Sequence, residues 1–558
     1  MLSHFNKKIV LFFCLNFSFI SFYTLANNEV IHKKGTQITD VNPNQKTLLN
    51  CSNNDENIVF QPEPIFDETQ EGIYFFHRWA NWLHIKTKVK TLKNESAFFL
   101  SQCDKKKPDL EELERHLRTK KYLRDAEVSY DENDERIQVK TWDNWSLLPT
   151  ASLGRQGGQN NFSWGVKERN FLGLGIYAKA EAYSDVQRSG NRIISTVPLF
   201  QKQNIDLKFI FANNDDGKQK SIFLQKDFVS FHTNYAYTFG LNDEQRVDTI
   251  FQNGDDKAKF KHDIIVKKIG FAWLKQNTEN YAVHYSLGLT QDEHSFNAFN
   301  SGKNSLPSQQ LPQDRALLYP WVGFEYIEKD FKKLTNIHLI TQIEDFNNGW
   351  QVNTKIGLGN GNQKNAAWSI LQADVSKGYF FNDTLFLIDL KFRNENYKTN
   401  NDRFYAKLKS ELFYPFSNQW VFYLNNITTI SSNQYLDSPI SIGGDTGLRG
   451  FPLQYQQGNN SIKLTSELRY YPHISLFKLV DLAAAAFIDT GKAFGRNTVE
   501  QVENIENGWL YSAGIGARLY SPHSSKEHQI IHIDLAFPIS NNPAISNVEL
   551  RLQLSNSF

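Results

Sequence analysis

From about residue 145 to its end the chain alternates, apolar then polar, and this limits its fold more than any other feature. In "SIKLTSELRYY" (461–471), Ile462, Leu464, Leu468 and Tyr470 share one face; Lys463, Thr465, Glu467 and Arg469 share the other. "IHIDLAF" (531–537) sets Ile531, Ile533, Leu535 and Phe537 against His532 and Asp534. In "VELRLQLSNSF" (548–558), Val548, Leu550, Leu552, Leu554 and Phe558 oppose Glu549, Arg551 and Gln553. A period of two marks strands with unlike faces. The sheets of a soluble sandwich also alternate. Charges opposite the apolar face, right to the chain's end, fit a transmembrane barrel better, where one face meets lipid and the other a wet lumen. No helix is evident in the 414 residues 145–558. Strands of roughly 9–11 residues with their loops use about 26 residues each, so the expected fold is an all-β barrel of about 16 antiparallel strands.

Composition agrees once this geometry is considered. Mean hydropathy is −0.50, and beyond the N-terminal segment no run approaches the ~20 apolar residues of a spanning helix. Only helices and closed barrels satisfy every backbone group in lipid, and a barrel needs apolar residues at alternate positions only. Lys7 and Lys8 precede the apolar run "IVLFFCLNFSFISFYTLA", which contains Cys14 and ends at Ala26. Residues 1–26 read as a secretory signal peptide, with a retained signal anchor as the alternative. Losing Lys7 and Lys8 changes the net charge from +1 to −1, which gives no support to a nucleic-acid partner. Cys51 and Cys103 then remain. An exported chain with an even cysteine count is expected to bond them, with two free thiols as the alternative.

Residues 27–80, rich in Asn, Gln and Thr, read as an extended leader ending in the aromatic stretch "IYFFHRWANWLHI" (73–85). A compact α+β module is expected over 81–144, in the order β-α-α-β-β. Its strands are "HIKTKVKTL" (84–92), "DAEVSYD" (125–131) and "RIQVKTWD" (136–143). A short helix is predicted over "ESAFFLSQC" (95–103). A longer one follows over "PDLEELERHLRTKKYL" (108–123), where Asp109 can cap, Glu112 sits three residues on, and Leu110, Leu113 and Leu117 share a face. The barrel occupies 145–558.

No spacing points to an enzyme. "GLGNG" (357–361) has no helix behind it to make a phosphate loop. His523 and His528 lie in a polar loop that suggests no third metal ligand. No catalytic, cofactor-binding or metal-ligating residue is expected, and no cofactor.

Four elements then resemble, in order, the BamA/TamA family of outer-membrane assembly proteins (bacterial surface antigens), whose relatives include two-partner secretion transporters. "ERNFLGLG" (168–175) is similar to the family's Asn-Phe-Leu-Gly-Thr-Gly segment, with Leu174 in place of threonine. "GGDTGLRGF" (443–451), containing Gly443, Gly444, Gly447, Leu448, Arg449, Gly450 and Phe451, resembles the Arg-Gly-Phe/Tyr loop that folds into the lumen. "FIDTG" (487–491), with Phe487, Asp489 and Gly491, resembles the strand against which that arginine docks. "IDLAFP" (533–538) and the terminal Phe558 resemble the family's closing strands and C-terminal barrel signal. The α+β module resembles one POTRA domain; the family's general assembly protein carries several.

The resemblance implies a protein of the bacterial outer membrane with its N-terminal domain in the periplasm. It implies insertion or secretion of an exported polypeptide client, or of a lipid, in contact with outer-membrane lipids. An inner-membrane-anchored or periplasmic partner would fit. A passive porin or uptake channel with an accessory domain is the alternative, and an enzyme barrel a third. Parity puts Asp489 on the lumen side if Ile488 faces lipid, and the planar guanidinium of Arg449 suits a carboxylate. Glu467 is a second potential partner, and a solvated or pore-lining arginine is the bland alternative. Pro149 and Gly157–Gly158 in "LLPTASLGRQGG" (147–158) predict a weak seam where first and last strands meet.

Overall fold

The computed structural model describes residues 58–69, 72–100, 109–131, 133–134, 136–299, 311–359, 367–397, 402–496, 503–524, 530–543 and 545–555. The signal peptide, the Cys51–Cys103 pair and Phe558 lie outside the described residues.

The module's sheet has three strands in the order β1-β3-β2. β1 (Ile58–Glu63) runs parallel to β3 (Arg136–Asp143), and β2 (Leu123–Asp131) runs antiparallel to it. Its helices are α1 (Phe75–Leu83), α2 (Val89–Glu95), α3 (Ala97–Leu100) and α4 (Leu110–Arg118). α4 starts where Asp109 accepts the Glu112 N–H at 2.9 Å. Leu113 and Leu117, one turn apart, are wholly buried against Leu92, Leu123 and Val139. Each such leucine contributes about 1.5–3 kcal/mol of burial, and truncating Leu113 to alanine would cost roughly 2–5 kcal/mol.

Two expectations for this region are corrected. Residues 84–92 are not a strand; an irregular segment from His84 leads into α2. The Asp143 carboxylate, at the end of β3, takes the bonds a ladder would have used. It accepts from His84 Nε2 at 2.8 Å, Thr87 N at 2.8 Å and Thr87 Oγ1 at 2.7 Å. Thr91, Leu92 and Glu95 then bury at helical spacing. The sheet's first strand comes instead from "IVFQPE" (58–63), inside the stretch assigned to the leader. α1 also lies there, with Phe75, Trp79 and Trp82 exposed along one face. Its buried His77 donates from Nε2 to the Phe477 carbonyl at 2.8 Å, on a turn of the barrel.

Among the described residues the barrel closes through twenty long strands, with the two-residue piece Ser475–Leu476 beside them. About sixteen strands were expected. The excess arises because many connections are far shorter than assumed: Gly157–Gly158, Asp215–Asp216, Asn253–Gly254 and Asn382–Asp383 are two-residue turns. Every neighbouring pair is antiparallel. Ile488, Ile515, Leu550 and Leu554 point outward, whereas Glu467, Arg469, Asp489, Arg518, Asp534 and Arg551 are buried inside. This polarity inverts that of a soluble protein and suits a lipid-facing wall. Tyr235–Gln252, Asp255–Asn277 and Tyr281–Ala298 run for 18, 23 and 18 residues. That is well beyond the ~9–11 residues needed to span, so they tower over the end remote from the module.

Strand Leu147–Gln156 leaves the module and meets the last strand, Glu549–Ser555, to close the barrel. Among the described residues they pair at Leu552 with Arg155. On its other side the first strand pairs all ten of its residues, from Leu147–Glu168 to Gln156–Gln159. Among the described residues the seam has the fewest paired positions of any join in the wall.

Candidate functional site

Two insertions enter the lumen from opposite ends. The first is the far-end loop 433–459, whose limbs pair briefly as Ile440–Ile442 with Gln456–Gly458. Between them the chain coils tightly: Leu448 N donates to the Gly443 carbonyl at 2.9 Å. Gly447 and Gly450 take φ of +89° and +87°, a region that side-chain-bearing residues rarely adopt. A Cβ on Gly450 would also meet Pro538 at 3.0 Å, in the segment 533–538. Leu448 and Phe451 are wholly buried with Ile442, Tyr455, Ala493 and Leu510. Arg449, between them, is aimed at the wall.

Its guanidinium grips Asp489 with two bonds, Nε to Oδ2 at 2.6 Å and Nη2 to Oδ1 at 2.8 Å. Nη1 donates to Glu467 Oε1 at 2.9 Å. The Phe487 ring lies 3.4 Å beneath it, a distance suited to cation–π attraction. Gly491 lies under Ile442 of the same loop, where a Cβ would meet Ile442 Cδ1 at 3.4 Å. Asp489 and Glu467 thus serve together, one on each side of the fork. Arg518, bonded to Asp534 at 2.6 Å, and Arg469 complete a buried layer of alternating charge. Removing one partner of such a buried pair strands the other, at about 3–5 kcal/mol.

Glu549 was not singled out from sequence, and it joins this site to the seam. Its carboxylate accepts from Gly450 N and from Gly158 N, both at 2.9 Å. Gly158 caps the first hairpin and Glu549 begins the last strand, so one carboxylate spans the closure and holds the loop to it. Gly444 approaches Gly157 so closely that a Cβ on the former would fall 2.7 Å from the Gly157 Cα. The available signal was parity: Glu549 opens the polar face of "VELRLQL".

The second insertion, residues 329–350, enters at the module end as the hairpin Phe331–Thr335 and Ile343–Asn347. Its tip residues Leu339 and Ile340 bury among Leu385, Phe413, Val421, Tyr423, Tyr471, Ala483, Ala485, Tyr520 and Ile530 of the wall. Glu344 stiffens the tip by accepting from the N–H groups of Ile337, His338 and Leu339 at 3.1–3.2 Å. The hairpin's outer part is tied to α4. Arg118 forks onto Asp345 with two bonds of 2.7 Å, Lys333 pairs with Glu114, and Arg115 stacks over Phe331 at 4.3 Å.

The two insertions are linked through two wall side chains, Arg469 and Glu467. Arg469 donates from Nε to Glu467 Oε2 at 3.0 Å and from Nη1 to the Ile337 carbonyl at 3.1 Å. A contiguous set of bonds therefore runs from α4 through the hairpin to Arg449. On strands that carry neither Glu467 nor Arg469, a lumen cavity of about 280 Å³ is lined by Lys226, Lys268, His284, Trp321, Glu325 and Lys355 among others.

No protein-family model matches the chain, and no curated protein does. Its similar solved structures include "The crystal structure of BamA from Haemophilus ducreyi lacking POTRA domains 1-3", at TM-score 0.40 and 13% identity, covering 84% of this chain and 81% of that one. "CdiB from Escherichia coli" follows at 0.44 and 15%, covering 84% and 74%. "CdiB from Acinetobacter baumannii" gives 0.39 and 12%, covering 85% and 72%. The structural neighbours of this closed barrel thus include BamA and CdiB.

Proposed function

We propose that this chain is a bacterial outer-membrane protein of BamA/TamA type, with one POTRA-like periplasmic domain, that inserts or secretes an exported polypeptide client. The observation that carries the reading is the pair of ordered insertions that enter the lumen from opposite ends and are bonded to its wall. A passive pore has no need of such bonded insertions. The parts that would have to move are the Arg449 loop, the hairpin tied to the module, and the seam, which among the described residues pairs at one position. In this reading β1 and β2 are sheet edges onto which an extended client can add as a strand. The exposed aromatics of α1, beside the exposed Phe477 of the barrel turn, suit a position at the membrane interface. Arg449 acts by holding its loop, and no residue acts as a catalyst.

The test compares a deletion strain complemented with wild type or with Arg449→Ala, by quantitative proteomics of the cell surface and medium. Loss of particular exported polypeptides in the deletion and variant strains is the expected result. Unchanged polypeptides, together with a solute-selective conductance of the purified protein, would replace this reading with the porin.

A further inference from the structure

Toward the far end of the barrel, two histidines on neighbouring tall strands face each other. His262, buried on Asp255–Asn277, and His294, on Tyr281–Ala298, approach at 2.8 Å, Nε2 to Nδ1. Their other ring nitrogens each meet a carboxylate: His262 Nδ1 lies 2.6 Å from Asp248 Oδ2, and His294 Nε2 lies 2.9 Å from Asp292 Oδ1. A carboxylate only accepts, so both outer nitrogens carry the hydrogen. In neutral rings the two inner nitrogens then present lone pairs to each other, which is repulsive unless a cation lies between them. A proton could fill that role without a third donor. A third donor is nevertheless present: Asp437, from the far-end loop, places a carboxylate oxygen within 4.8 Å of the histidine ligand atoms. Arg315 orients that carboxylate with bonds of 2.9 and 2.8 Å.

We infer that His262, His294 and Asp437 form a binding site for a divalent transition-metal ion, zinc by ligand type. Two imidazoles and a carboxylate suit zinc better than calcium or magnesium, which take oxygen donors. Asp248 and Asp292 fix the ring tautomers, as carboxylates behind metal-bound histidines do. Donors about 2 Å from a tetrahedral ion lie roughly 3.3 Å apart, so binding draws Asp437 inward and spreads the histidine pair slightly. Because Asp437 belongs to the loop that carries Arg449, the ion would fasten that loop to the tall strands. Sequence spacing did not suggest the site, since its members lie 32 and 143 positions apart.

The test uses the full-length protein without a histidine tag, in detergent, stripped with chelator and dialysed. Zinc alone is titrated by calorimetry, bound zinc is counted by mass spectrometry, and cobalt is added to report geometry by its visible absorption. One ion per chain is expected for wild type, with a tetrahedral cobalt spectrum and higher heat resistance when loaded. His294→Ala should lose at least tenfold in affinity, and Asp248→Asn, behind the ligand, about 10–100-fold. A heat-shifted band on an unboiled gel verifies that each variant is folded. Failure of wild type to bind stoichiometric zinc would overturn the inference, leaving a proton between the rings. Wild-type affinity in folded His294→Ala would overturn it too.

Discussion

The far-end loop and the module-end hairpin occupy the same lumen by opposite means. The loop's hold is directional: three bonds from one guanidinium to two carboxylates, with glycine backbones that fit one path. The hairpin's tip relies mainly on apolar contact, which has no required direction, supplemented by single bonds from Arg469 and Tyr471 to its Ile337 and Asn336 carbonyls, and its forked ionic tie lies on α4. A charge fork loses most of its energy when displaced by about an ångström, whereas an apolar tip can slide and repack. In the proposed function the loop would be the firmer hold, a lock, and the hairpin a stopper that the module, as its handle, would draw.

The largest effect expected from breaking this contrast is Arg449→Ala. It leaves Asp489 and Glu467 without their shared cation, at about 3–5 kcal/mol. Client export should fail and the folded band should melt at lower temperature, while the protein remains in the membrane. Asp489→Ala should resemble it, and the double variant should be no worse than either; simple additivity would show that the residues act separately. Arg449→Lys should rescue in part, keeping the charge without the fork.

Ile340→Ala comes next, at about 2–5 kcal/mol of local packing. Because only the stopper is loosened, bilayer conductance should rise while heat resistance of the barrel stays near wild type. Loss of heat resistance on the scale of Arg449→Ala would erase the distinction between lock and stopper. Glu549→Ala follows, removing an acceptor from two backbone donors at about 1–3 kcal/mol. A disulfide between Arg155→Cys and Leu552→Cys should then form more slowly, reporting a looser seam.

The smallest effect belongs to the handle. Burial pushes the Glu114 carboxyl up, but bonds from Lys333 and Arg118 outweigh it and hold it below its ordinary 4.5. A depressed carboxyl stabilises its contact fully above the ordinary value, and the contribution fades as pH falls through the folded value. Cross-linking between α4 and the hairpin should therefore be constant near neutrality and decline below about pH 4.5. High salt should weaken it as well. Arg118→Ala should lower it at every pH.

Much of the wall was readable because its period of two leaves no freedom. Alternation places Glu467 and Asp489 on the lumen side, and there they lie, both buried. Residues 84–92 misled for the converse reason: nine residues with threonines and lysines satisfy a strand or a helix equally, and Asp143, 51 positions beyond, decided it. The hairpin 329–350 is short and does not alternate cleanly, and its role as an insertion follows only from its partners on distant strands. Strand number depends on turn lengths, which the alternating pattern does not encode.

Glu467 has two carboxylate oxygens, one on each arginine. If the tip withdraws, Arg469 loses the Ile337 carbonyl and turns more strongly to Glu467, competing there with Arg449. If the loop leaves first, Glu467 is freed toward Arg469, which is drawn off the hairpin. Either departure weakens the grip at the opposite mouth. In the proposed function the barrel would work as an interlock: a client pulling at the module would loosen, through Arg469 and the Glu467 carboxylate, the loop at the opposite mouth.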